Sequence, residues 1–471
     1  MKKGLDFVFL LIIDLLTLAI CLELSILIRK ELLPFVIEFP ELLGRGISTY
    51  WWVFPIWIFF FAYEGLFTKR FSFWDEIKQL YRAIFFSTVA VFSLLFLGKM
   101  GEKYSRTVIV LSGLISIFIF PAVRINAKRL FRSIGLLRSK VLIIGAGNRG
   151  KLVAKALKEE HNLGYKVVGF LDDDPEKAGT FIDGIKVHKG IDKAERYIGR
   201  SGINTIVIAI PGANRERLNK IINRLQHKTE NIFFIPDISG IAVLGTKLQH
   251  FFREQAFALE IQNNLAKPIN IFIKRFFDFT VGGLLLLLLS LPIALICLLI
   301  RLDSPGPAIF SQYRIGGKGK PFRCYKFRTM FKDSEEKLLE LLNTNKDIRR
   351  EWEQVWKIKD DPRITRAGKF LRKTSLDELP QLINVLKGEM SLVGPRPYLS
   401  HEVTKVGERM KICFSVLPGL TGLWQVSGRS DTSYDYRIAL DSWYVRNWNL
   451  WLDIVILLKT VKVVLKREGA W

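Results

Sequence analysis

The sequence is poor in cysteine and in acidic residues. Its 471 residues include four cysteines, at positions 21, 297, 324 and 413. They are scattered and form no Cys-x-x-Cys pair, so neither a zinc site nor a disulfide framework is indicated. The 45 acidic residues are outnumbered by 70 lysines and arginines, which gives a net charge of +25. Such a charge attracts nucleic acid, anionic lipid headgroups or phosphorylated substrates.

Two kinds of sequence feature are absent, a nucleic-acid-binding module and a signal-peptide cleavage site. No nucleic-acid-binding module is recognisable, so lipid headgroups and phosphorylated substrates are favoured over nucleic acid. The first apolar segment is long and lacks a small-residue cleavage site, so we expect no cleaved signal peptide. Hydrophobic residues make up 49% of the chain and the mean hydropathy is +0.20, which is compatible with several membrane segments. The length suggests about three domains.

The first part of the chain, residues 1–136, has a membrane pattern. Its apolar segments run over residues 7–28, 51–66, 83–97 and 107–123. They predict four transmembrane helices, although the middle two are short for a hydrocarbon core of about 30 Å. The distribution of lysine and arginine places both ends of this block in the cytoplasm. Asp14 and Glu23 in the first segment are compatible with a lipid or proton path, or with ordinary interhelical and interface contacts.

The middle part, residues 137–262, alternates strands and helices around a glycine turn. A buried-strand pattern is followed by Gly145, Gly147 and Gly150, then by a helix and a second strand that ends at Asp172. This is the layout of a Rossmann-like dinucleotide fingerprint. A bound dinucleotide is one prediction, and a domain that binds nothing or only regulates is the alternative. Sugar dehydratases and epimerases of this fold share a Tyr-x-x-x-Lys base. That spacing is absent from this chain, which argues against redox chemistry.

The last part, residues 263–471, contains another long apolar segment, residues 281–300. Ser290 and Pro292 stand near its middle, and proline bends a helix. Four earlier spans would leave residue 140 in the cytoplasm, so one more complete crossing would export everything that follows. We therefore predict a helix that enters the membrane and returns on the same side. A kinked full span is the alternative.

The final helical run, residues 447–465, has apolar residues at helical spacing. Aromatic residues at and before its start are Trp443, Tyr444, Trp448 and Trp451. Such residues favour the bilayer interface. An amphipathic helix that lies on the membrane is predicted, with ordinary core packing as the alternative.

An acidic pair stands at the centre of this part. Asp377 and Glu378 precede an apolar helical run. Ser375 and Glu378 have the spacing of a capping box, and Pro380 suits the first turn of a helix. The pair is therefore predicted at a helix N-terminus, where the helix dipole favours ionised carboxylates. An acidic pair alone is usually an ordinary helix cap, but the surrounding cations change that interpretation.

Those cations lie in constrained backbones. Alternation along the strand-like residues 321–330 places Lys326 and Arg328 on one face, for which a solvated strand face is the ordinary explanation. Arg372 precedes the acidic pair, prolines flank Arg396 in an extended backbone, and glycine precedes Arg429. Arginine suits phosphate because its planar fork binds two oxygens at once.

In this order the motifs resemble the long form of the bacterial polyprenyl-phosphate hexose-1-phosphate transferases. The matching pieces are residues 326–330 (KFRTM), 372–382 (RKTSLDELPQL), 392–397 (LVGPRP) and 427–429 (SGR). Residues 260–268 (EIQNNLAKP) resemble the undecaprenyl-phosphate galactose phosphotransferases in particular.

The resemblance implies transfer of a hexose-1-phosphate from a UDP-sugar to undecaprenyl phosphate, with release of UMP. It marks Asp377 as the nucleophile and Glu378 as its partner, and it implies Mg²⁺ held by these two carboxylates. By matching position, the residues that hold or lie near phosphate groups are Lys326, Arg328, Arg372, Arg396 and Arg429. Galactose against glucose stays open, as does the role of Glu378 as base or metal ligand.

The predicted fold is a membrane protein that combines α and α/β parts. It has four N-terminal transmembrane helices, a Rossmann-like middle domain, and an α-rich catalytic domain with a re-entrant helix and interfacial amphipathic helices. We expect a homodimer in the bacterial cytoplasmic membrane, with the catalytic domain on the cytoplasmic face. The alternatives are a membrane-anchored nucleotide-sugar oxidoreductase and a non-catalytic scaffold. The missing Tyr-x-x-x-Lys argues against the first, and the intact acidic pair with its arginines against the second.

Overall fold

In the computed structural model the chain forms two compact units, Met1–Ser239 and Gly240–Trp471. The structure describes all residues except 1, 37–45, 101–102, 211, 213–214, 237–246, 252–255, 261–263, 345–348, 350–357, 359–360, 401, 403–408, 428–433 and 467–471.

The first unit begins with four apolar helices. They are α1 (Lys2–Leu27), α2 (Val53–Tyr63), α3 (Phe73–Leu97) and α4 (Arg106–Ser133). The helical segment Gly4–Phe35, which contains most of α1, is long and apolar enough to cross a membrane, as are α3 and α4. Helix α2 has 11 residues, about 16 Å of helix, which falls short of a hydrocarbon core of about 30 Å. Of the four predicted spans, three are supported at full length.

Helix α3 begins at Phe73, well before the apolar segment that predicted it. Ser72 caps it, because its hydroxyl oxygen accepts a hydrogen bond from the Asp75 N–H at 3.4 Å. Asp75 and Glu76 occupy the first turn, where the helix dipole favours negative charge. These polar first turns belong to the helix but are invisible to a search for apolar runs.

A buried cluster of charges joins three of these helices. Arg124 of α4 is 1% exposed and donates to Asp14 of α1 and Glu76 of α3. Lys128 pairs with Glu76 as well. Asp14 thus makes an interhelical contact, one of its two predicted roles, whereas Glu23 is exposed. Because a buried charge that loses its partner is strongly destabilising, this cluster fixes the three helices relative to one another.

A Rossmann-like sheet follows within the same unit. Its elements are β1 (Ser139–Ile144), α5 (Asn148–Glu159), β2 (Tyr165–Asp172), β3 (Phe181–Ile182), β4 (Ile185–Lys189), α6 (Ala194–Ser201), β5 (Thr205–Ile208), α7 (Arg215–Leu225) and β6 (Asn231–Phe234). The strand order is β3-β4-β2-β1-β5-β6, and every pair is parallel except β3 with β4. Leu142 and Ile144 pack on one face and Val141 and Ile143 on the other. Burial on both faces explains the unbroken apolar run of β1.

Hydrogen bonds tie this sheet to the membrane helices. Arg70 donates to the carbonyl oxygens of Leu137 at 2.8 Å and Leu163 at 3.1 Å. The Asn162 side-chain amide donates to Glu76 of the charged cluster. The membrane block and the sheet therefore form one unit through specific polar contacts.

The second unit is rich in helices and short strand pairs. Its elements are β7 (Lys247–Phe251), β8 (Ala256–Glu260), α8 (Pro268–Leu288), α9 (Ser290–Asp303), β9 (Ile309–Ile315), β10 (Pro321–Phe327), α10 (Ser334–Thr344), α11 (Arg366–Thr374), α12 (Gln381–Lys387), β11 (Ser391–Val393), α13 (Arg409–Cys413), β12 (Gly419–Thr421), α14 (Tyr434–Arg446) and α15 (Leu450–Lys466). Strands β9 and β10 form an antiparallel hairpin, and β11 pairs with β12 in parallel.

Helices α8 and α9 form a bent apolar pair. They meet at Leu289 at an angle of 59°, and Pro292 stands in the first turn of α9. The bend falls where Ser290 and Pro292 predicted it. Large apolar side chains stay exposed along both limbs, including Phe272, Phe276, Leu287, Leu291, Leu298 and Leu302. This surface suits lipid rather than water.

Helix α15 has two apolar faces with different surroundings. Ile456 is buried in the core of the unit, while Leu458, Val461 and Leu465 are exposed. The exposed face agrees with a helix that lies on the membrane, and the buried face with ordinary core packing.

The aromatic residues before α15 were predicted at the bilayer interface, and for two of them this is wrong. Tyr444 and Trp448 are 1% and 3% exposed. The Tyr444 hydroxyl and the Trp448 indole N–H donate to the fully buried Asp453 at 2.7 and 3.0 Å. Their polar atoms find partners inside the protein, which removes the reason to sit at a wet interface.

Asp453 also anchors α8 to this core. The Lys274 Nζ donates to Asp453 at 2.8 Å, to the Val393 carbonyl oxygen at 3.0 Å and to the Tyr444 hydroxyl at 3.2 Å. We call Lys274, Tyr444, Trp448 and Asp453 the buried polar network. It joins α8, α14, β11 and α15 at one point.

Candidate active site

The acidic pair lies in a short 3-10 turn, Leu376–Glu378, between α11 and α12. Ser375 takes a left-handed φ of 56°, and its N–H donates to the Arg372 carbonyl oxygen at 3.1 Å. The predicted capping box is wrong, because Ser375 ends the preceding helix and its side chain does not cap the turn. Helix α12 begins directly after Pro380, as proline predicts.

Lys326 reaches the acidic pair from β10. Its Nζ donates to Glu378 Oε1 at 2.7 Å, and the two side chains are 31% and 33% exposed. The next residue, Phe327, is buried among the side chains of α9 and α11. Strand alternation therefore directs Lys326 toward the carboxylates while Phe327 anchors the strand.

Arg372 approaches the same pair from α11. Its Nε donates to the Thr329 hydroxyl oxygen at 3.0 Å, and its charge interacts with that of Asp377. Helix α11 can pack directly on Thr329 because Gly368 has no side chain. A Cβ at Gly368 would lie 2.1 Å from the Thr329 carbonyl oxygen. Gly368 thereby sets the position of Arg372.

Burial and the adjacent Glu378 carboxylate raise the pKa of Asp377 to about 6, against the opposing effects of Lys326 and Arg372. The sequence predicted a pKa lowered by the helix dipole and the nearby cations, whereas the pKa of Asp377 is raised, because burial and Glu378 outweigh Lys326 and Arg372. At neutral pH a group with a pKa of about 6 is still mostly ionised. Asp377 is therefore mostly a charged carboxylate at neutral pH, and its pKa lies close to that pH, as suits a group that reacts in its ionised form.

Arg328 is buried and binds backbone carbonyl oxygens of its own unit. It is 7% exposed, and its Nη atoms donate to the carbonyl oxygens of Pro305 and Ser304 at 2.8 and 2.7 Å, just beyond α9. The predicted common face with Lys326 is lost, because β10 ends at Phe327. These contacts hold the exit of α9 and give no support to phosphate binding by Arg328.

Arg396 follows β11 and is fixed through its backbone. Its N–H donates to Asp441 Oδ2 at 3.3 Å, and the Tyr398 hydroxyl donates to the same oxygen at 2.7 Å. The guanidinium carbon lies 5.7 Å from the centre of the Trp424 ring. Burial raises the pKa of Asp441 to about 7. Asp441 was not predicted, because a contact across 45 residues leaves no local pattern.

Two more arginines are relevant to the site, Arg429 and Arg314. Arg429 lies outside the described residues. Arg314 of β9 was not assigned from the sequence, yet the hairpin register pairs Arg314 with Phe322 and Phe310 with Lys326. Paired residues and their i±2 neighbours share a face, so Arg314 and Lys326 lie on the same side of the hairpin. Alternation along two paired strands is the signal that identifies Arg314.

The acidic pair offers two carboxylates as ligands for a metal ion. Among the described residues, no three His, Cys, Asp or Glu side chains are arranged to hold a metal ion. Asp361 is engaged by Arg363 through two guanidinium nitrogens. Mg²⁺ commonly uses one or two carboxylates together with substrate phosphates, and Asp377 and Glu378 offer that number. The residues fit a Mg²⁺ ion that binds together with a phosphorylated substrate.

The glycine turn of the first unit has the geometry of the fingerprint. Gly145 has φ +106°, Gly147 precedes α5, and a Cβ on Gly150 would lie 2.0 Å from the Gly145 carbonyl oxygen. Asp172 stands at the end of β2, but its Oδ2 accepts a hydrogen bond from the Ala146 N–H at 2.8 Å. The carboxylate closes the glycine turn, a structural role that the sequence did not indicate.

Two family models match the chain. Residues 269–467 match the bacterial sugar transferases, and residues 63–236 match a CoA-binding domain. The second match agrees with the Rossmann-like sheet.

Relatives among characterised proteins agree with the first match. The chain is 39% identical to the undecaprenyl-phosphate galactose phosphotransferase of Salmonella typhimurium, over 86% of this chain and 84% of that protein. It is 32% identical to the UDP-glucose:undecaprenyl-phosphate glucose-1-phosphate transferase of Escherichia coli, over 72% and 70%. It is 42% identical to the exopolysaccharide production protein ExoY of Rhizobium meliloti, over 46% and 95%. The chain is therefore a phosphoglycosyl transferase of the polyprenyl-phosphate hexose-1-phosphate transferase family.

Proposed function

We propose that the protein transfers galactose-1-phosphate from UDP-galactose to undecaprenyl phosphate, releases UMP, and so begins the synthesis of a surface polysaccharide. The observation that carries this is Asp377, a half-buried carboxylate that interacts with the charges of Lys326 and Arg372. The same unit presents a bent apolar helix pair to a lipid substrate. The 39% identity to a galactose phosphotransferase, against 32% to a glucose-1-phosphate transferase, favours galactose. Glucose is the alternative sugar.

A panel of sugar nucleotides tests this function. Purified full-length protein is mixed with undecaprenyl phosphate, Mg²⁺ and UDP-galactose or UDP-glucose in parallel, and UMP is measured. Fastest UMP release from UDP-galactose supports the proposal. Release from UDP-glucose alone would change the sugar, and no UMP from any UDP-sugar would contradict the reaction.

The chemistry proceeds in two displacements. An Asp377 carboxylate oxygen attacks the phosphorus bonded to the sugar, and the bond from that phosphorus to the bridging oxygen breaks. UMP leaves with the bonding electron pair, and the sugar phosphate stays on Asp377. An oxygen of undecaprenyl phosphate then attacks the same phosphorus and releases the carboxylate. Lys326 and Arg372 stabilise the negative charge that develops on the phosphate oxygens.

Glu378 and Mg²⁺ have supporting roles in this scheme. Asp377 and Glu378 would hold the ion, which supplies charge neutralisation at the phosphates. Lys326 holds the Glu378 side chain in place by their 2.7 Å hydrogen bond.

We predict that the pH dependence of UMP release reports on Asp377. Its reactive form is the carboxylate, so kcat/KM should fall as the pH drops through about 6, the raised pKa of Asp377. Glu378→Gln removes a like charge and should move this acid limb to lower pH. Lys326→Gln removes a cation and should move it to higher pH. Shifts in the reverse directions would contradict the assignment.

We also propose that α8 and α9 enter the membrane and return. Arg275, in the first half of α8, donates to the Met390 carbonyl oxygen at 3.1 Å. Asp303 at the end of α9 accepts from the Ala367 N–H at 3.0 Å. A complete crossing would separate these two ends by a bilayer of about 30 Å. Contact of both ends with one folded unit supports re-entry.

Cysteine labelling tests the topology. Cys297 is the only cysteine of the described set that is not buried, so it is first replaced by serine. Lys267→Cys and Lys320→Cys then place exposed thiols before α8 and after α9. We expect both to resist a membrane-impermeant maleimide on intact cells and to react after permeabilisation. Labelling of Lys320→Cys alone from outside would show a full crossing.

The remaining predictions concern location and assembly. We place the second unit on the cytoplasmic face of the bacterial cytoplasmic membrane, where UDP-sugars are available. A homodimer and a nucleotide in the glycine turn stay predictions.

A further inference from the structure

Arg314 is a half-buried cation without a full set of partners. Its Nη2 donates to Gln312 Oε1 at 2.9 Å, but its Nη1 is buried and has no hydrogen-bond partner in the part of the chain that the structure describes. A buried guanidinium nitrogen that makes no hydrogen bond is costly. A phosphate oxygen can supply the acceptor that the described residues do not give to Nη1.

A second arginine lies close to the first. Ile315 of β9 forms a bridge with Tyr398, whose carbonyl oxygen accepts from the Ile315 N–H at 2.8 Å. This bridge brings Arg396 beside the hairpin. Burial and the charge of Arg396 lower the pKa of Arg314. Two like charges that weaken each other in this way are stabilised by an anion between them.

The surrounding carboxylates do not neutralise the guanidinium groups of Arg314 and Arg396 by direct contact. Within the described residues, neither guanidinium lies within 4.0 Å of a carboxylate. Glu402 and Glu378 act on Arg314 only at longer range. Glu402 accepts a hydrogen bond from the Leu399 N–H at 2.7 Å, and Glu378 is held by Lys326.

The face of the hairpin connects this pair to the acidic centre. Arg314 and Lys326 lie on one side of β9–β10, and Lys326 contacts Glu378. A phosphorylated substrate at Asp377 would therefore have Lys326 and Arg372 beside the acidic pair and Arg314 further along the same face of the hairpin. Arginine favours phosphate because its fork binds two oxygens.

We propose that Arg314 is a further substrate-binding residue, which with Arg396 holds a substrate phosphate group that is not the one attacked by Asp377. The inference rests on the proposed function, because it assigns a phosphate of that same reaction. Both substrates carry such a group, the phosphate of the UMP portion and the phosphate of the lipid. The two half-reactions separate these sources.

The experiment compares Arg314→Met with Arg323→Met in the full-length protein. Arg323 lies on the opposite face of the same hairpin, where it is exposed and donates to the Tyr313 hydroxyl at 3.1 Å, so it is a matched loss of charge. UMP release is measured with UDP-galactose alone and then with undecaprenyl phosphate added. Binding of UMP and of a short polyprenyl phosphate is measured separately by thermal shift.

We expect Arg314→Met to reduce one half-reaction by about 10- to 100-fold, the worth of hydrogen bonds to a charged group, and to weaken the corresponding ligand. Loss of UMP release and UMP binding assigns the nucleotide phosphate, and loss of transfer and lipid binding assigns the lipid phosphate. Arg314→Lys keeps the charge and should recover part of the loss, which also serves if Arg314→Met does not fold.

Equal activity and binding in Arg314→Met, Arg323→Met and the unchanged protein would overturn the inference. So would a loss in Arg314→Met that only follows a lower unfolding temperature and leaves ligand binding unchanged. If the unchanged protein binds UMP or polyprenyl phosphate but never releases UMP from a UDP-sugar, the proposed reaction fails. The binding measurements then still decide the role of Arg314.

Discussion

Asp377→Asn is expected to lose about 10³-fold or more in turnover, equivalent to roughly 4 kcal/mol of transition-state stabilisation. Asparagine keeps the shape of the side chain but removes the charge that attacks phosphorus. In the unchanged protein, UDP-galactose alone should release UMP in an amount bounded by the enzyme present, since the sugar phosphate stays on Asp377. Intact-protein mass spectrometry should detect the added hexose phosphate, and the variant should show none.

Asp333→Asn is the matched control for that variant. Asp333 is an exposed carboxylate of the same unit, paired with Lys337 at 2.9 Å, and its loss should leave turnover unchanged. The competing mechanism is direct attack by the lipid phosphate, with Asp377 as a metal ligand only. Active enzyme that never gains a hexose phosphate, and that releases UMP only when lipid is present, would establish that mechanism instead.

Lys274→Met is expected to destabilise the protein by about 3–5 kcal/mol, the usual effect of removing one partner from a buried ion pair. Lys274 donates three hydrogen bonds within the buried polar network, and Asp453 is 0% exposed. Without the ammonium group, Asp453 would keep an uncompensated charge. Denaturant or thermal unfolding in detergent measures the effect.

Two companion variants isolate the cause. Lys462→Met makes the same substitution at an exposed position of α15 and should change stability by less than about 0.5 kcal/mol. Lys274→Met combined with Asp453→Asn removes both charges, yet leaves an acceptor for Tyr444 and Trp448, and should recover part of the loss. A single variant as stable as the unchanged protein would show that the network contributes little.

The sequence predicted features that depend on neighbouring residues. Strand alternation fixed the face of β10 on which Lys326 lies, Pro292 marked the bend between α8 and α9, and the spacing of Gly145, Gly147 and Gly150 marked the turn that leads into α5. Each of these results depends on a local pattern. The alternation of side chains along a strand, the missing N–H of proline and the missing Cβ of glycine all act on the backbone within a few residues.

Features that depend on distant residues were not predictable in this way. Ser375 fits either a capping box or the end of the previous helix, and the end of α11, which packs on Thr329, decides between them. Asp441 contacts the Arg396 backbone across 45 residues. The pKa of Asp377 depends on how deeply the turn is buried. Tertiary packing sets each of these, and one sequence carries no signal for it.

The hydrogen bond between Asp172 and the Ala146 N–H has a consequence for any regulator of the first unit. A dinucleotide bound in the usual way would take the Asp172 carboxylate for its ribose, and the Ala146 N–H would then need a new partner. Each such exchange costs about 1 kcal/mol, or several-fold in affinity. A nucleotide that used Asp172 in this way would therefore bind several-fold more weakly than it would bind a glycine turn whose carboxylate makes no internal hydrogen bond.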